Sequence, residues 1–254
     1  MPVVLVEKQT SQITVLTLNR PERRNALTIE LMTELTSAIE EAAADPKQRI
    51  LILRGAGKAF CTGLDLEAAA DSSKAHATAE AVARMLLTLA ATRLVTIATV
   101  HGAAVAGGAG IMSACDFVIA AERTKIGYPE VRRGLVAGIV MTFLRRQLRE
   151  RDLRELLLAS ELIEAERARE IGLVNHVVPA SELENAAQKI AASVLQGAPG
   201  AISNSKRLME ELWSTSVKQD IALALRHHME ARESDEAKEG IAAFNEKRPP
   251  NWAR

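Results

Sequence analysis

The sequence predicts an α/β fold followed by a helical carboxy-terminal region. Two short apolar stretches rich in β-branched residues, 50–54 and 94–100, each run into a glycine-containing turn. The second turn leads into an apolar segment, 109–114, that is able to begin a helix. The chain of 254 residues is 48% hydrophobic, which suits one large core with an appendage better than two independent domains.

Local signals place the elements of the first part of the chain. Residues 3–6 and 13–18 are predicted to form the strands of a hairpin. Thr28 is predicted to cap a helix over residues 28–44, in which leucine and isoleucine recur at helical spacing and which Pro46 follows. These elements precede the first of the two glycine turns.

Most of the remaining chain is predicted to be helical. One amphipathic helix is expected in the alanine-rich stretch between residues 66 and 92. Further helices are predicted over residues 144–159, 165–171, 181–196, 201–231 and 234–245.

A break at residues 197–200, which hold two glycines and a proline, marks a domain boundary. We predict a core of residues 1–196 that contains the active site, and a helical region of residues 197–254. The last helices carry apolar faces that a small lobe cannot bury alone, so self-association of the chain is expected.

Composition argues against several classes of function. The 32 basic residues balance the 32 acidic residues, so no global field recruits nucleic acid or an acidic membrane. Cys61 and Cys115 provide neither a disulfide framework nor the spacing of metal ligands, and no metal is expected. No secretory leader or bilayer-length apolar stretch is recognised, so a cytoplasmic location is expected.

The turn at residues 101–116, HGAAVAGGAGIMSACD, is a candidate anion site. The first amides of a helix have no partner within it, so Gly107 and Gly108 could present N–H groups to an anion without an intervening side chain. In the alternative interpretation these glycines bind no anion and only allow a helix to pack closely on the sheet.

A second glycine turn, residues 55–65, follows the other apolar strand. Turns at the same end of a parallel sheet can bring one backbone amide each toward a common point. Paired amides suit thioester chemistry, because the carbonyl oxygen gains negative charge during the reaction. Neither turn matches the spacing of a phosphate-binding P-loop or of a dinucleotide fingerprint well.

Six segments occur in an order typical of one family. They are residues 18–27 (LNRPERRNAL), 55–66 (GAGKAFCTGLDL), 101–116, 127–134 (GYPEVRRG), 173–179 (LVNHVVP) and 244–248 (FNEKR). Together they resemble the enoyl-CoA hydratase/isomerase, or crotonase, superfamily over nearly the whole chain. The resemblance implies a spiral of ββα units with a helical oligomerisation region, and a homotrimer or dimer of trimers. It also implies an acyl-CoA substrate, with coenzyme A as part of the substrate and no separate cofactor.

The resemblance also implies roles for individual residues. The backbone amides of Leu64 and Gly107 would form an oxyanion hole, and Glu130 would carry a proton. Contacts with coenzyme A are implied for Arg24, Ala26, Leu27, Cys61, Thr62, Gly63, Phe244 and Lys247. Phe244 and Lys247 are expected to reach the nucleotide across a subunit boundary. Without the motif, Glu130 would be interpreted as a helix cap or a salt-bridge residue.

The sequence departs from the hydratase pattern at Gly110, where hydratases of the family usually carry a second glutamate. A lone glutamate resembles the isomerases of the family, and apolar residues 139–141 could exclude water from it. We therefore expect isomerisation of an enoyl-CoA. A hydratase, and an acyl-CoA-binding protein without catalysis, stay open as alternatives.

Overall fold

The amino-terminal hairpin and the helix after it form as the sequence predicts. The computed structural model describes residues 1–65 and 72–253. Strands β1 (Val4–Lys8) and β2 (Ile13–Leu18) pair antiparallel. Helix α1 (Ile29–Ala44) begins after Thr28, whose side chain accepts a hydrogen bond from the Leu31 amide at 3.2 Å.

Two sheets organise the core. A six-stranded sheet has the order β1-β2-β3-β4-β6-β9, and every pair in it except the hairpin is parallel. A three-stranded sheet has the order β5-β7-β8. The further strands are β3 (Ile50–Gly55), β4 (Val95–Val100), β5 (Ala103–Val105), β6 (Phe117–Ala121), β7 (Lys125–Gly127), β8 (Ile163–Glu164) and β9 (His176–Val178).

Helices surround the larger sheet and make up the carboxy-terminal region. They are α2 (Ala75–Ala91), α3 (Gly107–Ser113), α4 (Gly138–Gln147), α5 (Glu150–Arg154), α6 (Ala165–Glu170), α7 (Leu183–Leu195), α8 (Pro199–Glu211), α9 (Val217–Glu233) and α10 (Asp235–Asn245). None of the helices in the described part of the chain has the length and hydropathy needed to cross a membrane.

Two helices that were predicted to be continuous are interrupted in the structure. The helix predicted over residues 144–159 starts earlier, as α4, and is interrupted before α5 begins at Glu150. The helix predicted over residues 201–231 is divided into α8 and α9, because Ser216 and Gln219 form a capping box that starts a new helix. The amphipathic helix expected between residues 66 and 92 forms as α2, and residues 66–71 of that stretch lie outside the described residues.

The larger sheet is covered on both faces, which explains why its strands are apolar almost throughout. Alternate residues of β2 divide between the faces: Leu16 joins the main core, whereas Val15 joins a smaller cluster under α7. The smaller cluster contains Ile13, Val15, Ile50, Ile52, Ile97 and Ile119, together with Ala187 and Ala191.

The first glycine turn is attached to the second by backbone hydrogen bonds. The Cys61 amide donates to the Ala103 carbonyl at 3.2 Å, and the Val105 amide donates to the Cys61 carbonyl at 3.0 Å. The turn after β3 therefore runs parallel to β5, directly before α3. This pairing places the two glycine turns side by side, as their positions after β3 and β4 predict.

Candidate active site

A cavity of about 840 Å³ lies between the two glycine turns, the turn after β7 and the carboxy-terminal helices. Leu64, Gly107 and Glu130 all line it. Three residues predicted from separate motifs thus share one cavity. Its size is in the range of cavities that hold small-molecule ligands.

The amides of Leu64 and Gly107 lie on adjacent backbone segments. A β-carbon added to Gly63 would be 2.9 Å from the Ala106 β-carbon and 3.4 Å from the Gly107 nitrogen. Gly63 also has φ of +87°, a conformation that favours glycine. Close approach of these two turns therefore requires glycine at position 63.

Neither amide is used by the backbone of the described residues. The segment around Leu64 pairs with Leu27, whose amide donates to the Gly63 carbonyl at 2.8 Å and whose carbonyl accepts from the Asp65 amide at 2.9 Å. This pairing occupies the groups on either side of the Leu64 amide. Gly107 is the first residue of α3, where an amide has no partner within the helix. Neither N–H group has a backbone acceptor in the part of the chain that the structure describes.

Two ion pairs hold the loop that carries Leu64. The buried Asp65 carboxylate accepts from Arg20 and from Arg23, each at 3.1 Å. Arg20 also donates to the Ala26 carbonyl. Because Asp65 directly follows Leu64, these contacts fix the loop against the segment that contains Arg24.

Glu130 begins the 3₁₀ turn Glu130–Arg133 that follows β7. The turn is anchored by Tyr128, a fully buried residue whose hydroxyl shares a hydrogen bond of 2.8 Å with the Ser113 hydroxyl of α3. The Oε2 atom of Glu130 is enclosed and has no hydrogen-bond partner among the described residues. The salt-bridge interpretation therefore has no partner in this part of the chain.

Burial raises the pKa of Glu130 to about 7, and the positive charge of Arg133 opposes this rise. At neutral pH the carboxyl is divided between its ionised and protonated forms. A group in this state can accept a proton and return it within one reaction.

Position 110 is closed by a neighbouring helix. A β-carbon added to Gly110 would lie 2.4 Å from the Val140 Cγ1 and 3.5 Å from the Leu86 Cδ1. The Val140 side chain of α4 therefore occupies the space that a glutamate at this position would need. Val140 and its neighbour Ile139 also line the cavity, together with Leu135 and Val136. Met141, the last of the apolar residues expected there, is not among the lining residues.

Five of the eight residues predicted to contact coenzyme A line the cavity: Arg24, Ala26, Thr62, Phe244 and Lys247. The other three, Leu27, Cys61 and Gly63, do not. Leu27 and Cys61 are fully buried in the main core. A β-carbon on Gly107 would be 3.0 Å from Leu27 Cδ1, so Leu27 supports the glycine turn from the side of the core.

The expectation that Phe244 and Lys247 act across a subunit boundary stays a prediction. Both line the cavity of their own chain. Helix α10 packs on the turn that carries Glu130, and Gly240 permits the approach, since a β-carbon there would be 2.5 Å from the Arg133 carbonyl. The carboxy-terminal helices therefore fold back over the site of the same chain.

Several polar residues on the cavity wall were not predicted from the sequence, among them Arg133 and His228. Arg133 lies within the quoted GYPEVRRG segment, so its distance of three residues from Glu130 could have indicated it. His228 donates through Nδ1 to the Val136 carbonyl at 3.2 Å, and burial lowers its pKa. No local signal separates His228 from its exposed neighbour His227.

Comparison with known proteins agrees with this fold. The crystal structure of an enoyl-CoA hydratase from Mycobacterium avium superposes with a TM-score of 0.87 at 30% identity and covers 99% of each chain. The fold is therefore that of the crotonases, as the resemblance implied.

The family is shown by the sequence as well. The family model for enoyl-CoA hydratase/isomerase matches residues 8–254, and the chain belongs to this family of acyl-CoA enzymes. The enoyl-CoA hydratase EchA19 of Mycobacterium tuberculosis is 34% identical, with 99% of this chain and 96% of the relative covered. The enoyl-CoA isomerase/hydratase fer4 of Mycosarcoma maydis is 31% identical, with 92% and 90% covered.

Proposed function

We propose that this enzyme moves the double bond of an enoyl-CoA, with Glu130 as the single proton carrier. The supporting observation is the pairing of an enclosed, unpartnered Glu130 oxygen with a position 110 that Val140 closes. Two other carboxyl residues line the described cavity, but Asp65 is held by arginines and Glu22 lies exposed at its rim.

In the proposed reaction, the thioester oxygen accepts hydrogen bonds from the amides of Leu64 and Gly107. The Glu130 carboxylate takes a proton from the carbon next to the carbonyl of a β,γ-enoyl group, and the electron pair of that C–H bond delocalises as a dienolate. The two amides stabilise the charge that develops on the oxygen. The Glu130 carboxyl then gives its proton to the γ-carbon, so the double bond moves into conjugation and Glu130 regains its charge.

The part of the cavity wall formed at Gly110 and Val140 also disfavours hydration. Adding water requires a positioned water molecule and usually two acid or base groups. Gly110 supplies no carboxylate, and Val140 fills the adjoining space. The apolar residues Leu135 and Ile139 add no group that could hold a water.

The rim of the cavity suits the coenzyme A part of the substrate. Arg24 and Lys247 place positive charge where the phosphates would lie, and the Phe244 ring provides a surface for adenine. The proton transfers written above require no other cofactor. Coenzyme A enters as part of the substrate and leaves with the product.

The test is to incubate the enzyme separately with a β,γ-enoyl-CoA and with crotonyl-CoA, and to repeat both assays with Glu130→Gln. We expect isomerisation by the wild type and a loss of about 10²- to 10⁴-fold in the variant, because glutamine cannot carry the proton. Glu122→Gln, a matched change at an exposed residue outside the cavity, should leave the rate unchanged.

Each other outcome supports a different function. Rapid hydration of crotonyl-CoA would favour a hydratase, the activity that the name of the Mycobacterium tuberculosis relative gives for that protein. Tight binding of acyl-CoA with neither reaction would favour a binding protein without catalysis. Isomerisation that survives Glu130→Gln would overturn the role of Glu130.

A further inference from the structure

Arg133 lies close to Glu130 because of the local backbone. Both residues belong to the turn Glu130–Arg133, which is a 3₁₀ helix. Side chains three residues apart are eclipsed in a 3₁₀ helix, so the two side chains share one face of the turn. Both line the cavity. Arg133 and Glu130 therefore face the same cavity from one turn.

The Arg133 guanidinium has no acceptor in the described residues. It makes no ion pair there, and its Nε atom is enclosed without a hydrogen-bond partner. The guanidinium carbon lies 4.5 Å from the centre of the Phe244 ring, which covers one face of the group but accepts none of its N–H bonds. A half-buried guanidinium carries its charge at any physiological pH. Its five N–H groups are stabilised by hydrogen bonds to an acceptor.

We propose that Arg133 binds a carboxylate at the far end of the acyl group, so that the preferred substrates are thioesters of dicarboxylic acids. A carboxylate matches the planar fork of a guanidinium with two parallel hydrogen bonds. The apolar wall of Leu135, Val136 and Ile139 would contact the methylene groups between the thioester and this carboxylate. The inference depends on the proposed function, because it takes the substrate to be an acyl-CoA.

A phosphate of coenzyme A could supply the same anionic oxygen. The turn that Arg133 shares with Glu130 favours the acyl group, whereas the Phe244 ring, 4.5 Å from the guanidinium carbon, is the surface assigned to adenine. Exposed cations at the rim, among them Arg24 and Lys247, are available to the phosphates. The test therefore has to separate the two sources.

The affinity test uses ligands that do not react. Binding of adipoyl-CoA and hexanoyl-CoA, which have equal chain length, is measured by calorimetry for the wild type, Arg133→Met and Arg133→Lys. The same acyl groups on pantetheine, which lacks the nucleotide and its phosphates, form a second pair of ligands. Arg132→Met is the matched control, because Arg132 is the exposed neighbour and donates instead to the Ala159 carbonyl at 3.2 Å.

We expect the wild type to bind each adipoyl ligand about 10- to 100-fold more tightly than its hexanoyl counterpart. Arg133→Met should abolish this preference without weakening the hexanoyl ligands, and Arg133→Lys should restore part of it. Equal wild-type affinity for the two acyl groups would overturn the proposal. So would an Arg133→Met loss that is the same for both, or one confined to ligands with the nucleotide.

Failure of the proposed function gives a different result. Tighter binding of the adipoyl ligands without isomerisation of any enoyl-CoA would support the carboxylate site and reject the proposed reaction. Isomerisation of a β,γ-enoyl-CoA with no preference for dicarboxylic thioesters would support the reaction and reject the carboxylate site. Thermal melting of each variant shows whether loss of the Arg133 contact with Phe244 has unfolded the protein, and Arg133→Lys provides the comparison if Arg133→Met does not fold.

Discussion

At the scale of single residues, the protonation state of Glu130 decides what the site can do. Its carboxyl lies in a cavity with a largely apolar wall and lacks a partner for Oε2 in the described structure. Burial raises its pKa and Arg133 limits the rise. A carboxyl at the surface would stay ionised at neutral pH and would return a proton poorly.

The pH dependence of the reaction follows from this state. Glu130 must be ionised to take the first proton, and its pKa is about 7. The kcat/KM for a β,γ-enoyl-CoA should therefore rise about tenfold per pH unit below pH 6 and level off above pH 8. Steady-state rates from pH 5 to pH 9 give the profile. A midpoint near pH 4.5, the ordinary value for glutamate, would show that Glu130 is solvated or is not the base.

At the scale of elements, the contact between α3 and α4 determines which chemistry fits. Gly110 on α3 lets Val140 on α4 approach so closely that a β-carbon at position 110 would lie 2.4 Å from Val140 Cγ1. The start of α4 thus takes the place of a second carboxylate. If the proposed function holds, this helix–helix contact leaves no space for a side chain that would hold the water molecule of a hydratase.

Gly110→Ala tests this contact. We expect it to lower the free energy of unfolding by about 1–3 kcal/mol, because the added methyl group forces Val140 to move. Val140→Ala in the same chain should recover part of the loss, and urea denaturation of the single and double variants measures the coupling.

Gly200→Ala is the matched control for this pair, since nothing lies within 4 Å of the position where its β-carbon would be. It should be neutral or slightly stabilising, because alanine is the better helix former. Equal effects of Gly110→Ala and Gly200→Ala would mean that α4 is not packed on α3 in solution.

At the scale of the whole molecule, the carboxy-terminal helices have two roles. Toward the core, α9 contributes His228 to the cavity, α10 contributes Phe244, and Lys247 lines it just after the end of α10. Away from it, α8 and the residues after it expose large apolar side chains: Leu208, Met209, Leu212 and Trp213. Residues on both sides of the predicted boundary between residues 196 and 197 line the cavity. The boundary itself stays a prediction.

The exposed apolar surface predicts an assembly of identical chains. We expect light scattering to give the mass of three or six chains, as the family resemblance implies. Leu212→Glu should lower this mass, because Leu212 is 77% exposed and a charge there would oppose burial. Val6→Glu, at a side chain that is 55% exposed on the edge strand β1, should leave it unchanged. A monomeric wild type would contradict the prediction.

Much of the fold and part of the site follow from local sequence. The strands before both glycine turns, the Thr28 cap and the motif around Glu130 are each specified within about ten residues, by hydrophobic period, capping and turn chemistry. The extents of α4, α8 and α9 were predicted poorly, because helix interruptions depend on short polar signals such as the Ser216 capping box.

The sequence by itself determined the family, the strands before the two glycine turns and the glycines that let two backbone segments approach each other. Only the tertiary structure decided that Val140 closes position 110, that the carboxy-terminal helices cover the site of their own chain, and that Arg133 lies in the cavity without an acceptor among the described residues. The physical reason is that local signals act through neighbouring residues, whereas packing between α3 and α4, or between α10 and the Glu130 turn, joins residues 30 to 110 positions apart. Such contacts depend on shape and burial, for which a single sequence carries no local mark.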